Sequence, residues 1–121
     1  MAVTVRSILS DLSRVEGIRG CAVVSKDGFI IENVLPSDCE VDSDELAVMV
    51  TTVYGTVEMI GSELKVGGID LINIEFDESY LLIQDLGEAL LVVLSDKQTP
   101  LGKVRFEVKK HRDKLKEALI S

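Results

Sequence analysis

From Leu46 to Ser62 the chain reads LAVMVTTVYGTVEMIGS, a stretch that carries one charge, Glu58. Leu46, Met49, Val50, Val53, Val57, Ile60 and Leu64 recur at helical spacing, the pattern of a helix laid on a core. The other side of such a helix is ordinarily charged, but here it holds Ala47, Val48, Thr51, Gly55, Met59 and Ser62. A helix without a polar face needs cover on both sides, and a short chain has little with which to supply the second. The reading is therefore a helix whose first stripe packs on the core and whose small, apolar side meets another subunit. The β-branched run Val50 to Val53 and two glycines, Gly55 and Gly61, count against a helix. The length and regularity of the stripe outweigh them.

Working outward, Asp42 and Glu45 stand at capping-box spacing and open the helix, which is expected to end near Lys65 before Gly67-Gly68. Upstream, Cys21 to Ser25 and Phe29 to Val34 are β-rich runs joined through Asp27-Gly28, a hairpin signal. Before them Val5, Ile8, Leu9, Leu12 and Val15 form one face of a first helix starting after Thr4, with Gly17 as its left-handed stop. Downstream, Ile69–Phe76, Ser79–Leu86 and Ala89–Ser95 read as three strands with tight turns at Asp77-Glu78 and Gly87-Glu88. Thr99 and Pro100 then read as an N-cap and first helical position. The last helix carries Leu101, Val104, Val108, His111, Leu115 and Ala118 on one stripe.

Strand composition arranges these elements. ALLVVL (Ala89 to Leu94) and CAVV (Cys21 to Val24) are apolar on both faces and belong mid-sheet. Alternation through Ile72, Asn73, Ile74 and Glu75 suits an edge. The predicted fold is α/β (α+β): a five-stranded, mainly antiparallel sheet of order 2-1-5-4-3, with helices 1 and 3 on one face and the long helix 2 on the other. Strand three is left with an open edge, which must be blunted or paired. Its residues Leu71, Asn73 and Glu75 join the helix side as the expected homodimer interface.

The chain has 121 residues, 46% of them hydrophobic but only 4% aromatic and none Trp, which requires a core of Val, Ile and Leu in a single domain. No apolar run exceeds the six residues from Ala89 to Leu94, far below a membrane span. The N-terminus lacks the apolar block of a signal peptide, so cytoplasmic residence is expected. Cys21 and Cys39, outside any CxxC spacing, are expected as free thiols. Net charge is −8, unevenly spread: residues 1–99 sum to −12 and residues 100–121 to +4. An acidic body argues against nucleic acid as the partner. The basic stretch, with Lys103, Arg105, Lys109, Lys110, Arg112, Lys114 and Lys116, is either a docking surface for an acidic partner or a solvated helix face.

No catalytic, cofactor or metal site emerges. Asp38, Glu40, Asp42 and Asp44 alternate as in a calcium loop, but Ser43 and Met49 stand where that loop needs its glycine and bidentate glutamate. His111 lies on the apolar stripe of the last helix and reads as a packed residue. Nucleophile-elbow, phosphate-loop and dinucleotide fingerprints are absent. Cys21 falls in a strand expected to be buried, which argues against a reactive thiol. Arg6, Arg14, Arg19, Arg105 and Arg112 sit in or beside helices, and none has a context marking it as an arginine finger.

The order of elements is similar to that of the Roadblock (dynein light chain) domain, close to the longin and profilin-like folds. Carrying the resemblance are GIRGCAVVSKDGFIIEN, the helix beginning ELAVMV, the meander from GGIDLINIEF through YLLIQDL and ALLVVLS, and the closing PLGKVRFEVKKHRDKL. It spans essentially the whole chain. It implies homodimers or heterodimers joined through the long helix and strand three. It further implies a non-enzymatic scaffold or regulator of a small Ras-like GTPase of the gliding-motility type. The alternative is a dynein-type light chain, or a cargo or ligand-sensing adaptor acting without a GTPase. The minimal length suits the prokaryotic regulators better than a motor subunit.

Overall fold

The computed structural model describes residues 3–120. Helix α1 (Val5–Ser13) starts at Thr4, whose hydroxyl accepts the Ser7 amide while Ser7 returns a bond to the Thr4 backbone, closing a capping box. A hairpin follows, β1 (Ile18–Ser25) and β2 (Ile30–Val34), turned through Gly28 at φ +93. The register slips between Val23 and Val24, leaving Ile31 as the extra residue of a β-bulge that blunts this edge.

Helix α2 (Ser43–Leu64) begins at Asp42, whose carboxylate accepts the Asp44 amide. Its end differs in detail from the glycine stop expected. Lys65 itself takes the left-handed conformation at φ 57, and Val66 N–H returns to the Gly61 carbonyl. That closure explains Gly61, because a Cβ there would sit 2.9 Å from the Gly67 carbonyl oxygen. Three strands follow, β3 (Leu71–Glu75), β4 (Ser79–Asp85) and β5 (Ala89–Asp96), and then α3 (Leu101–Ile120). Pro100 stands one position earlier than expected: its carbonyl accepts the Val104 amide, and the Asp96 carboxylate holds the Thr99 N–H.

All strand pairs are antiparallel and the order is β2-β1-β5-β4-β3, as the strand compositions predict. Two cores lie on the two faces of the sheet. On one, Ile8, Leu9 and Leu12 of α1 and Val104, Val108 and Leu115 of α3 pack on Cys21, Val23, Leu82, Leu91 and Val93. On the other, Ala47, Val50 and Tyr54 of α2 pack on Ala22, Val24, Ile83, Leu90 and Val92. The second core is smaller, since one helix packs on that face and two on the other. Among the described residues no helix is long and apolar enough to cross a membrane.

Candidate functional site: the α2 face and the β3 edge

The residues that α2 turns to the sheet are only in part the stripe expected: Val50 is buried and Leu46 packs against the same core, but the rest of the stripe does not. Ala47, Val50 and Tyr54 are buried at 0%, 3% and 6% exposure, whereas Met49, Val53, Ile60 and Leu64 stand 50%, 37%, 52% and 66% exposed. The helix is rotated by about one residue relative to the expected packing. Ala47 is therefore removed from the interface set: its side chain is enclosed within the protomer and has no free surface. Thr51 is half-buried beside the hairpin, its hydroxyl donating to the Ala47 and Val48 carbonyls and lying 3.3 Å from a Cβ built on Gly28. Gly55 is half-buried with nothing within 4 Å of an added Cβ, while Val48, Met59 and Ser62 are exposed.

The direction of the uncovered stripe follows from its neighbours. Leu46 shares a recess with Phe76 and Leu81, at the far end of β3 and the near end of β4. Val57 and Ile60 share a shallow hollow with Leu71 and Asn73. Leu46 and Leu64 are separated by about five helical turns and so have the same azimuth. Thus Met49, Val53, Ile60 and Leu64 lean toward β3, and Thr51 and Gly55 lie on the hairpin side. Two apolar stripes lie next to each other on this helix, and hydropathy alone does not choose between them. The signal that was available is steric: Ala47 permits close approach to a sheet, and Tyr54 stands seven residues on along the same face.

Along β3, Leu71, Asn73 and Glu75 pair with Gln84, Leu82 and Tyr80, which puts their side chains on the α1/α3 face, while Ile72 and Ile74 share the α2 face. Leu71 packs against the α1/α3 core; Asn73 and Glu75 are exposed. The outer backbone groups of β3 have no strand partner in the sheet.

The cations of α3 divide into two groups. Lys109 Nζ lies 2.6 Å from one Asp70 carboxylate oxygen and Arg112 3.8 Å from the other. Hydrogen bonds from Lys109 and then from the Gln84 amide hold the Asp70 carboxyl below its usual range. Lys103, Arg105, Lys110, Lys114 and Lys116 form no salt bridge among the described residues. So Lys109 fastens α3 to the start of β3, where the sequence marked it only as a docking cation. Nothing in the charge pattern pairs it with Asp70, a residue far upstream.

His111 is 6% exposed with Nδ1 2.8 Å from the Glu107 carbonyl oxygen, a packed helix residue as expected. Cys21 is buried against the Leu9 carbonyl, and burial pushes its thiol up to about 12; Cys39 is exposed, and both are free. The arrangement has the features of an assembly domain, with an apolar helix stripe and a strand edge side by side.

The family model of the Roadblock/LC7 domain matches residues 4–95. The uncharacterized protein MJ0714 of Methanocaldococcus jannaschii is 36% identical over 109 residues, covering 90% of this chain and 91% of that one. Among solved structures, Myxococcus xanthus MglB is similar with a TM-score of 0.89 at 21% identity, over 95% of this chain and 94% of that one. The gliding protein MglB of Thermus thermophilus gives 0.83 at 22% identity, over 94% and 87%. This chain belongs to the Roadblock/LC7 domain family.

Proposed function

We propose that the protein is a non-enzymatic, dimeric regulator of a small Ras-like GTPase. The observation that carries the assembly half is the uncovered stripe Met49, Val53, Ile60 and Leu64 standing beside the unpaired β3 edge. Antiparallel pairing of two β3 edges about a two-fold axis normal to the sheet would give one continuous sheet and keep both α2 helices on the same face. The interface then comprises that stripe together with the outer backbone of Leu71, Asn73 and Glu75. Light scattering on a size-exclusion column tests it: the expected species is a dimer, and a clean monomer at micromolar concentration overturns it.

The GTPase half rests on the family resemblance and on structural likeness to proteins named MglB, one of them named a gliding protein. The chain has no phosphate-cradling glycine loop followed by Lys-Ser/Thr, so nucleotide chemistry belongs to the partner. Two surfaces remain open in such a dimer. One is α3, with Lys103, Arg105, Lys110 and Lys116 in no salt bridge among the described residues and Lys109 held by Asp70. The other is the outer side of α2, where Val48 and Met59 are 57% and 69% exposed. Titrating the dimer against GTP- and GDP-loaded Ras-like GTPases of the same organism decides the reading. A preference for one nucleotide state supports it, and no binding to either state favours an adaptor that works without a GTPase.

A further inference from the structure

The two long helices differ in charge as well as in packing. Within its bounds α2 carries four carboxylates, Asp44, Glu45, Glu58 and Glu63, and no cation, whereas α3 carries seven cations against three carboxylates. The helix layers are therefore acidic on one face of the sheet and basic on the other. Helix stability does not account for the cations, because the macrodipole favours carboxylates in a first turn and cations in a last one. In α3 the first turn holds Lys103 and no carboxylate, and the last turn holds no cation. Opposite the buried stripe of Val104, Val108, His111 and Leu115 stands Phe106, 63% exposed. Its neighbours one turn either way are Gly102, Lys103, Lys109 and Lys110, and it shares a shallow hollow with Gly102, Arg105 and Lys109. Ile120, 76% exposed, lies on the same outward side about 21 Å further along the axis.

We propose that the α3 face is a docking surface for an anionic lipid bilayer, with Phe106 seated among the headgroups and the surrounding cations on their phosphates. Two features distinguish this partner from an acidic protein. Protein interfaces gather apolar residues in one central patch and are depleted in lysine. Here Phe106 and Ile120 stand singly, and five of the seven cations are lysines. Lysine suits a bilayer, because an ammonium on a flexible stem needs no fixed partner geometry, and each one near an anionic surface adds to the attraction. An aromatic ring set among cations belongs at headgroup depth, where its apolar body and the ammonium groups are both accommodated. Attachment is peripheral: among the described residues no helix is long and apolar enough to cross a membrane. Like charge keeps the acidic α2 face off the bilayer, which leaves the outer side of α2, with Val48 and Met59, open to a protein partner. The surface is complete in one protomer, and a two-fold dimer would present it twice on one side and tighten the attachment.

The chain has no Trp, so insertion can be read directly. Phe106→Trp and, as a control on the opposite face, Met59→Trp are each mixed with vesicles of equal parts phosphatidylglycerol and phosphatidylcholine, or of phosphatidylcholine alone. The expected result is a fluorescence blue shift for Phe106→Trp with the anionic vesicles only, weakening as salt shortens the Debye length. Met59→Trp should not shift. In co-sedimentation, reversing Lys103, Lys110 and Lys116 together to Glu should lower affinity for the anionic vesicles by about a hundredfold or more. Phe106→Ala should lower it about five- to tenfold. All these positions are exposed, so melting curves that match the wild type verify the fold. Absence of co-sedimentation at low ionic strength overturns the proposal, as does equal binding to neutral vesicles or a shift of Met59→Trp in place of Phe106→Trp. A Phe106→Trp signal that answers to a Ras-like GTPase and to no vesicle assigns the face to a protein and overturns the lipid surface. None of these readouts depends on whether the chain is a dimer or meets a GTPase.

Discussion

Helices α2 and α3 lie on opposite faces of one sheet, are almost equally long, and solve the problem of their outer surface differently. α3 buries Val104, Val108, His111 and Leu115 and turns a mainly charged surface outward, with Phe106 and Ile120 exposed singly on it. α2 buries only Ala47, Val50 and Tyr54 and carries a second apolar stripe toward β3. On α3 sequence pattern and packing agree. On α2 they diverge because two apolar stripes lie side by side: one meets its own sheet, and the other is uncovered in the protomer and, on the reading proposed above, would meet another chain. A helix apolar all round therefore reports how many surfaces it must meet, without saying which stripe meets which.

The largest expected effect breaks the comparison at α2. Val53→Arg places a charge in the stripe facing β3 and should dissociate the dimer by a few kcal/mol, through desolvation and overpacking. The isolated protomer should keep its melting temperature, because Val53 lies outside the core. Ala47→Leu should do the reverse, costing the protomer about 1–3 kcal/mol by overpacking against the sheet. Light scattering paired with thermal melting separates the two. A protomer unfolded by Val53→Arg would mean that the stripe is core after all.

A middle-sized effect concerns α3. Reversing Lys103, Lys110 and Lys116 to Glu should leave fold and dimer intact, since none of them forms a salt bridge among the described residues. If α3 docks an acidic partner, association should slow and wild-type binding should weaken with salt. Met59→Glu, on the outer side of α2, is the matching variant for the other surface. Stopped-flow association at two ionic strengths identifies which helix the GTPase meets. Lys109 is left out of this set because its reversal would place two carboxylates side by side at Asp70.

That tether gives a smaller effect. Asp70→Asn should lower stability by a few tenths to about 1 kcal/mol at neutral pH, the range of an exposed ion pair. The folded carboxyl titrates below its unfolded value, so its contribution is fully present above the unfolded pKa, near 4, and is lost as pH falls through the folded pKa. The gap between wild type and Asp70→Asn should therefore close in acid. Urea midpoints at neutral pH and at pH values below 4 measure it, and a gap independent of pH would show that the carboxylate charge contributes nothing.

The fold was legible because its cues are local and redundant. Asp27-Gly28, the two tight meander turns and the doubly apolar β1 and β5 each constrain the same strand order, and they agree. The packing of α2 on its own sheet was legible as to element and not as to face. Choosing between the stripe of Leu46, Met49 and Val53 and that of Ala47, Val50 and Tyr54 depends on how closely the backbone approaches the sheet. Small residues and a single tyrosine set that approach, and hydropathy does not weigh it. The recess could not have been read at all, because it forms where a loop from one part of the chain meets strand ends from three others. Nor could the Asp70 tether, which joins a short loop to a helix three strands later in sequence.

Gly55 gives the smallest effect and separates the two stripes most cleanly. In the sequence reading it lies on the small, apolar side of the helix that meets another subunit, where a side chain added to a close helix contact would weaken the dimer. In the structure it lies on the hairpin side of α2, away from β3, with nothing within 4 Å of an added Cβ. Gly55→Ala should then raise protomer stability by about 0.5–1 kcal/mol, because alanine in a helix interior loses less backbone freedom on folding than glycine does. A chain of this size should melt a few degrees higher, roughly 2–6 °C, with the dimer dissociation constant unchanged. If the melting temperature rises while the dimer weakens tenfold or more, the helices meet at Gly55, and the interface belongs to Thr51, Gly55 and Met59 and not to Met49, Val53, Ile60 and Leu64.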